Sequence, residues 1–330
     1  MFDRTDLTPL FNHCLDVKRV ETGLLPVRFS DEMLEHYARM GDAARSRSLD
    51  SAGITMDFAV EAWTRVELAF TARCFSRPVC AFDIYEDGVL AAHERFADEC
   101  PGGTLCHTVG SARGAEGRVR VSICFPFSAS ITVTGFEAPG WEPVPGDDAS
   151  ERALLLGDSI TQGMTVEHPS RSYAMALSRQ MGWDWLNQGV GGCIFDAASL
   201  ADVSRVGPDR ILVAYGTNDF TSVLKGEREL DVLERGVEAY FDSLAGLAGR
   251  VPVHVLTPIW RVADMDERGA RDLFARVRAT IARDAGAHGF NVVDGFTVSG
   301  RCDELFADGL HPNDLGGAII AENIERHLAG

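Results

Sequence analysis

Long apolar runs are missing from this chain of 330 residues. No stretch approaches the ~20 consecutive apolar residues that a membrane span needs. The opening Met1-Phe2-Asp3-Arg4-Thr5-Asp6 is polar and acidic where a secretory core would be apolar. The expected location is therefore the cytoplasm, with no membrane partner. Positive charge is short as well: 31 Lys and Arg face 49 Asp and Glu, a formal net charge of −18. That field repels phosphate backbones and anionic headgroups, which argues against nucleic acid and lipid surfaces as partners. Strongly anionic substrates are disfavoured too, unless a local basic pocket overrides the global field. The eight cysteines (14, 74, 80, 100, 106, 124, 193 and 302) include no Cys-x-x-Cys pair and no His-rich tract beside them. No metal and no cofactor are expected. Without an export signal the thiols read as reduced, small buried apolar groups. Internal repeats and low-complexity tracts are absent.

What is present is an ordinary soluble composition, 45% hydrophobic and 24% charged, in a chain long enough for two domains. From about residue 17 to 138 the hydrophobic period is two. Ile54–Val60, Arg65–Phe70, Arg118–Ile123 and Ile131–Thr134 all alternate, as strands with one buried face do. Short strands separated by Glu86-Asp87-Gly88 and Pro101-Gly102-Gly103 predict a β-sandwich over 1–150, interrupted by one helix from Asp31 to Met40. A Pro- and Gly-rich linker, 138–148, places the boundary near residue 150.

Beyond it the period changes. Apolar strands at 153–156, 185–187, 210–215, 251–256 and 290–293 alternate with helical patterns at 172–181, 229–247, 268–287 and 314–328. This order predicts an α/β domain over 151–330, a parallel sheet covered on both faces. In such sheets ligands gather at the carboxyl ends of the strands.

Four segments sit at or beside those ends: Gly157-Asp158-Ser159-Ile160-Thr161-Gln162-Gly163, Asn187-Gln188-Gly189-Val190-Gly191-Gly192, Gly216-Thr217-Asn218-Asp219, and Asp308-Gly309-Leu310-His311-Pro312-Asn313. Each has a bland reading of its own. Ser159 could be a helix N-cap beside Asp158, His311 a loop residue before the last helix, Asn218-Asp219 an Asx-turn, and the glycine doublet a chain reversal. Their joint occurrence in this order favours chemistry. A serine hydroxyl needs a base to take its proton, and the base needs an anion to orient it. Ser159, His311 and Asp308 supply that set.

The four blocks resemble those of the SGNH (GDSL-type) hydrolase superfamily, whose letters stand for Ser, Gly, Asn and His. The resemblance covers roughly residues 151–330. It implies a three-layer, flavodoxin-like domain with Ser159 as nucleophile, His311 as base and Asp308 as its orienter. It also implies an oxyanion hole made by the backbone N–H of Ser159, that of Gly192 and the side-chain amide of Asn218. Gly192 closes the Asn-x-Gly-x-x-Gly phrase, while Gly191 occupies the family's frequent serine position, which leaves a one-residue ambiguity. Asp158 reads as a turn former and Asp219 as a loop stabiliser. His168 lacks a carboxylate at triad spacing and reads as a surface or pocket-wall histidine. Trp260 and Gln162 are candidates for contact with substrate, with a packing role the default for Trp260.

In the front half, Ala81-Phe82-Asp83-Ile84-Tyr85 resembles the Gly-x-Asp-Leu-Tyr signature of small β-domains placed before some SGNH domains, with Ala for Gly and Ile for Leu. Such two-domain members resemble carbohydrate esterases, and the front domain is jelly-roll-like in that picture. The expected function is a serine carboxylic-ester hydrolase removing O-acetyl groups from a sugar or short oligosaccharide. A short-chain lipase, thioesterase or acyltransferase keeps the mechanism and changes the substrate. An inert carbohydrate-binding protein is the rival from another class. A homo-oligomer is left open.

Overall fold

The computed structural model describes residues 6–110, 114, 116–144, 150–266 and 269–329. Met1 to Thr5 and positions 145–149 of the linker lie outside them. The front part runs β1 (Phe11–Asn12), β2 (Asp16–Val20), β3 (Gly23–Val27), α1 (Asp31–Met40), α2 (Asp42–Leu49), β4 (Thr55–Glu61), β5 (Arg65–Arg73), β6 (Ala81–Glu86), β7 (Val89–Arg95), β8 (Gly102–Thr108), β9 (Arg118–Cys124), β10 (Ser130–Glu137) and β11 (Glu142–Pro143). The second part runs β12 (Arg152–Gly157), α3 (Ser159–Gln162), α4 (Tyr173–Met181), β13 (Asp184–Gly189), α5 (Val203–Val206), β14 (Arg210–Ala214), α6 (Thr217–Leu224), α7 (Leu230–Ala248), β15 (Val253–Leu256), α8 (Ala270–Ala287), β16 (Asn291–Val293), α9 (Gly295–Val298) and α10 (Asp314–Ala329).

Two antiparallel sheets make the front part β-rich. One has the order β1-β4-β9-β6-β7 with β11 also on β4, the other β2-β3-β10-β5-β8. Their alternation does what the sequence requires: along β5, Val66, Leu68, Phe70 and Ala72 are buried while the residues between them are half-exposed. These side chains meet Phe58, Phe82, Val121, Ile123 and Val133 in a core between the sheets.

The second part is a parallel sheet of order β13-β12-β14-β15-β16. Counted within this part, that is 2-1-3-4-5, the flavodoxin-like doubly wound order. Strand β12 is apolar throughout because both faces are covered. Leu154 and Leu156 face a core shared with α7 and α8, whereas Ala153 and Leu155 face one shared with α4 and α10. The winding turns back across β12, from β13 on one side to β14 on the other, so the loops after these three parallel strands lie side by side.

Helix α1 matches its predicted span, capped by Ser30, whose hydroxyl accepts from Met33 N–H. Its packing is not legible in the sequence. Met33 and Tyr37 are buried together with Phe29 in the core of the parallel sheet, not in that of the sandwich. The thiols also depart from expectation. All eight cysteines are free, yet only Cys80, Cys124 and Cys193 are buried, while Cys74, Cys106 and Cys302 are exposed. Among the described residues no helix is long and apolar enough to cross a membrane.

Candidate active site

Strand β12 ends at Gly157, and the chain turns at once into the single helical turn α3. A Cβ on Gly157 would lie 2.1 Å from Thr161 Oγ1 and 2.9 Å from Ala214 O, so only glycine lets the turn close against β14. Asp158 caps the turn: its carboxylate accepts from Ile160 N–H at 2.9 Å. Burial, and then the neighbouring Asp219, push the Asp158 carboxyl up to about 7. The Ser159 hydroxyl, buried with its residue 4% exposed, is left at the head of α3 facing the loop before α10.

That loop carries His311. Ser159 Oγ donates to His311 Nε2 at 2.8 Å, and His311 Nδ1–H donates to Asp308 Oδ2 at 2.8 Å. Asp308 Oδ1 accepts two backbone N–H groups, from His311 at 2.8 Å and Leu310 at 3.1 Å. Partial burial opposes ionisation of Asp308, but His311, through its N–H and its ring, holds the carboxyl below the usual range. The imidazole is lowered, first by its own burial and then by the charges of Arg77 and Arg261, with Asp308 pulling the other way. A neutral imidazole with Nδ1–H fixed by a carboxylate leaves Nε2 as a proton acceptor. The structure thus brings Ser159, His311 and Asp308 into one hydrogen-bonded line from two distant segments.

The loop after β13 lies beside Ser159. Gly191 N–H donates to Gln162 Oε1 at 2.8 Å. Gly192, at φ +84°, has no such commitment among the described residues, and its N–H is free for a ligand. Asn218, the second residue of α6, is half-buried and uses one amide hydrogen on Cys193 O at 3.1 Å. Its second amide hydrogen is available. Asp219, fully buried, ties this helix to the same loop by accepting from Phe195 N–H and from Arg228 Nη1 at 2.9 Å.

Gln162 is placed differently from the substrate contact expected of it. It is 1% exposed, and its amide is consumed by the protein: Nε2 donates to Asp50 Oδ2 at 2.7 Å and to Phe127 O at 3.2 Å, and Oε1 serves Gly191. It supports the glycine loop from beneath. Trp260 is half-buried against Phe306, with ring centroids 5.4 Å apart, and its backbone N–H donates to Ser299 Oγ. Nothing places its ring against Ser159. His168 is half-buried and has a carboxylate partner that its own stretch of sequence lacks. Its Nδ1 pairs with Asp314 Oδ2 at 2.7 Å, and its ring lies 4.1 Å from that of His93, which pairs with Asp83. Metal-capable atoms of Asp83, His93 and His168 lie within 4.8 Å of one another there, as do those of Glu167, His168 and Asp314. This cluster joins the two parts of the chain.

Several residues of the front part reach the site without any signal in the sequence. Arg28, 1% exposed, donates to Asp50 O at 2.7 Å, Arg47 O at 2.7 Å, and Asn187 O and Gly189 O at 2.8 Å each. Burial lowers its guanidinium to about 10, which leaves it charged at neutral pH. It clamps the end of β13 to the turn after α2. Arg47 Nη1 donates to Gly191 O at 2.8 Å. The front motif also bridges the two parts. Asp83 Oδ2 accepts from Ser170 N–H at 2.9 Å and Oγ–H at 2.5 Å, and Tyr85 O–H donates to Ser170 Oγ at 2.9 Å. Asp83 and Tyr85 are the two polar residues of that signature, and both grip one serine beyond the nucleophile.

Residues 155–319, half of the chain, match the GDSL-like lipase/acylhydrolase family. The chain belongs to that family. No curated protein sequence matches. Among solved structures, the salicylyl-acyltransferase SsfX3 of a tetracycline biosynthetic pathway is similar over 97% of this chain and 93% of its own, at 16% identity and a TM-score of 0.76. The acetyl xylan esterase Est2A of Butyrivibrio proteoclasticus is similar over 97% and 95%, at 14% identity and 0.62. A family two carbohydrate esterase of Clostridium thermocellum, solved with cellohexaose, is similar over 83% and 90%, at 14% and 0.60. Those matches span both parts of the chain, so the pairing of a β-rich front with the hydrolase fold is shared.

Proposed function

We propose that the protein is a serine carboxylic-ester hydrolase that removes O-acetyl groups from a carbohydrate. The observation that carries this reading is the line Ser159 Oγ–His311 Nε2 and His311 Nδ1–Asp308 Oδ2, each link 2.8 Å long. Ser159 Oγ attacks the ester carbonyl as His311 Nε2 takes its proton. The carbonyl oxygen becomes an oxyanion held by the N–H groups of Ser159 and Gly192 and the free amide hydrogen of Asn218. Collapse breaks the bond to the alcohol oxygen, which receives the proton from His311. Water, deprotonated by the same imidazole, then releases acetate and restores Ser159. Asp308 keeps Nδ1 protonated throughout and stabilises the imidazolium. The division into a front β-domain, 1–150, and a hydrolase domain, 151–330, belongs to this reading.

Acetyl on a sugar is supported by the front β-part and by the named activities of the esterases similar to the chain over both parts. Hydrolysis of 4-nitrophenyl acetate by the wild type and its loss in Ser159→Ala test the chemistry. Equal turnover by both proteins would end the proposal. Acetate release from a panel of acetylated glycosides tests the alcohol. An acyltransferase reading is favoured by the likeness to SsfX3 over nearly the whole of both chains. It differs only in the nucleophile that meets the acyl-enzyme, and product partition between acetate and an added alcohol separates the two.

A further inference from the structure

Two histidines from different parts of the chain are held in the same way. His93 lies on β7 directly across from Asp83 on β6, and its Nδ1–H donates to Asp83 Oδ1 at 2.7 Å. His168, in the loop before α4, donates from Nδ1–H to Asp314 Oδ2 at 2.7 Å. Each carboxylate is fixed in turn. Asp83 Oδ2 accepts from Ser170 N–H and Oγ–H, and Asp314 Oδ1 accepts from Glu167 N–H at 2.8 Å. A carboxylate on Nδ1 sets the tautomer and leaves Nε2 with a free lone pair, the arrangement of histidines that ligate metals. The Nε2 of His93 is buried and has no hydrogen-bond partner among the described residues. That of His168 makes no hydrogen bond among them either. A buried polar atom without a partner is costly unless water or an ion serves it.

The two rings lie with centroids 4.1 Å apart and planes tilted by 41°. A nitrogen of each and an oxygen of Asp83 fall within 4.8 Å of one another, and the exposed Glu167 brings a carboxylate within 4.8 Å of ligating atoms of His168 and Asp314. Three carboxylates thus gather around two imidazoles, and among the described residues no Lys or Arg forms an ion pair with any of them. Two imidazolium ions this close would repel each other. One divalent ion shared between neutral rings answers both the acidic surroundings and the orphaned nitrogen. We propose that His93 Nε2 and His168 Nε2 ligate a divalent transition-metal ion of the zinc class, with Glu167 as the carboxylate ligand and Asp83 and Asp314 orienting the rings. Imidazole ligands select zinc and its neighbours over Mg²⁺ and Ca²⁺, which take oxygens. The cysteine pattern is silent on this site because no thiolate enters it. The ion takes no part in acyl transfer, and the proposal stands apart from the hydrolase reading. It staples β7 of the front part to the loop before α4 and to Asp314, which opens α10 three positions beyond His311.

Calorimetric titration of the whole, chelator-stripped protein with Zn²⁺ tests it. One equivalent should bind saturably, and Co²⁺ in its place should develop the visible d–d absorption of imidazole ligation. His93→Asn and His168→Asn should each weaken binding about a hundredfold or more, and Asp314→Asn, which removes only an orienting carboxylate, by ~10–100-fold. Glu167→Gln, an exposed change, should weaken it by about tenfold. At a hundredfold excess over its Kd, Zn²⁺ should raise the thermal midpoint of the wild type by about 5 °C and leave that of His93→Asn unmoved. Zn²⁺ should also slow the reaction of wild-type His168 with diethyl pyrocarbonate, located by peptide mass spectrometry, a readout that needs no variant. No saturable binding by the wild type, affinity unchanged in both histidine variants, or His168 left unprotected by Zn²⁺ overturns the site.

Discussion

The N–H of Gly191 is spent on Gln162 Oε1 at 2.8 Å, a bond that supports Gly192 as the oxyanion donor of the proposed mechanism. With Gly191 committed, Gly192 alone of the pair can turn its N–H to a developing oxyanion. Gln162 is itself held by Asp50 at 2.7 Å, so the selection originates in the front part. Gln162→Ala should therefore lower kcat about tenfold or more with little change in KM, because the ground state does not use the bond. Steady-state kinetics on 4-nitrophenyl acetate measure the split. A rise in KM with kcat unchanged would return Gln162 to the role of a substrate contact.

Asn218 presents the simplest deletion. Among the described residues its amide makes one bond, to Cys193 O, and the proposed mechanism gives its second hydrogen to the oxyanion. Asn218→Ala is expected to cost ~10²–10³ in kcat and to leave the thermal midpoint within a few degrees. Paired kinetics and thermal unfolding check both halves of that statement.

The acid limb of the pH profile belongs to His311. Burial, and after it Arg77 and Arg261, depress the imidazole, so the base stays competent below its ordinary value of about 6.5. The fall of kcat/KM on the acid side should accordingly have an apparent pKa under about 6.5. Removing a positive charge eases protonation, so Arg77→Gln should move that limb upward. A pH–rate series on wild type and variant gives the direction.

The buried Arg28 guanidinium donates to four carbonyl oxygens. Arg28→Met leaves them unpaired and should destabilise the protein by about 3 kcal/mol or more. Lysine cannot replace a planar fork, so Arg28→Lys should recover only part of the loss. Denaturant unfolding of the wild type and both variants provides the test.

The sequence and the structure agree best where periodicity is strong. The sandwich strands at β4, β5, β9 and β10, the helix at Asp31, and the alternation of β12 through α10 follow from patterns of period 2 and 3.6. Residues that act through their neighbours are legible only as a set, as with Ser159, His311 and Asp308. What stays hidden depends on tertiary contact. Arg28 carries no local sign of its four partners, and Asp50 gives no sign of the Ser76 and Gln162 side chains that donate to it. Gln162, beside the nucleophile, reads as a substrate contact because adjacency in sequence does not reveal which way an amide points. Helix α1 has an amphipathic face, but the face does not say which of two cores receives it. His168 gains its carboxylate from Asp314, 146 positions away, beyond the reach of any spacing rule.

Arg28 meets Asn187 and Gly189 across 159 and 161 positions of chain. Contacts of such separation close late, because a long loop must be drawn in before they return any stability. On a growing polypeptide the guanidinium exists well before its partners are synthesised, and His311 follows later still. On the proposed mechanism, catalytic competence is expected only at the end of maturation. Recovery of ester cleavage during refolding would act as a clock for the docking of both parts, lagging behind the appearance of secondary structure.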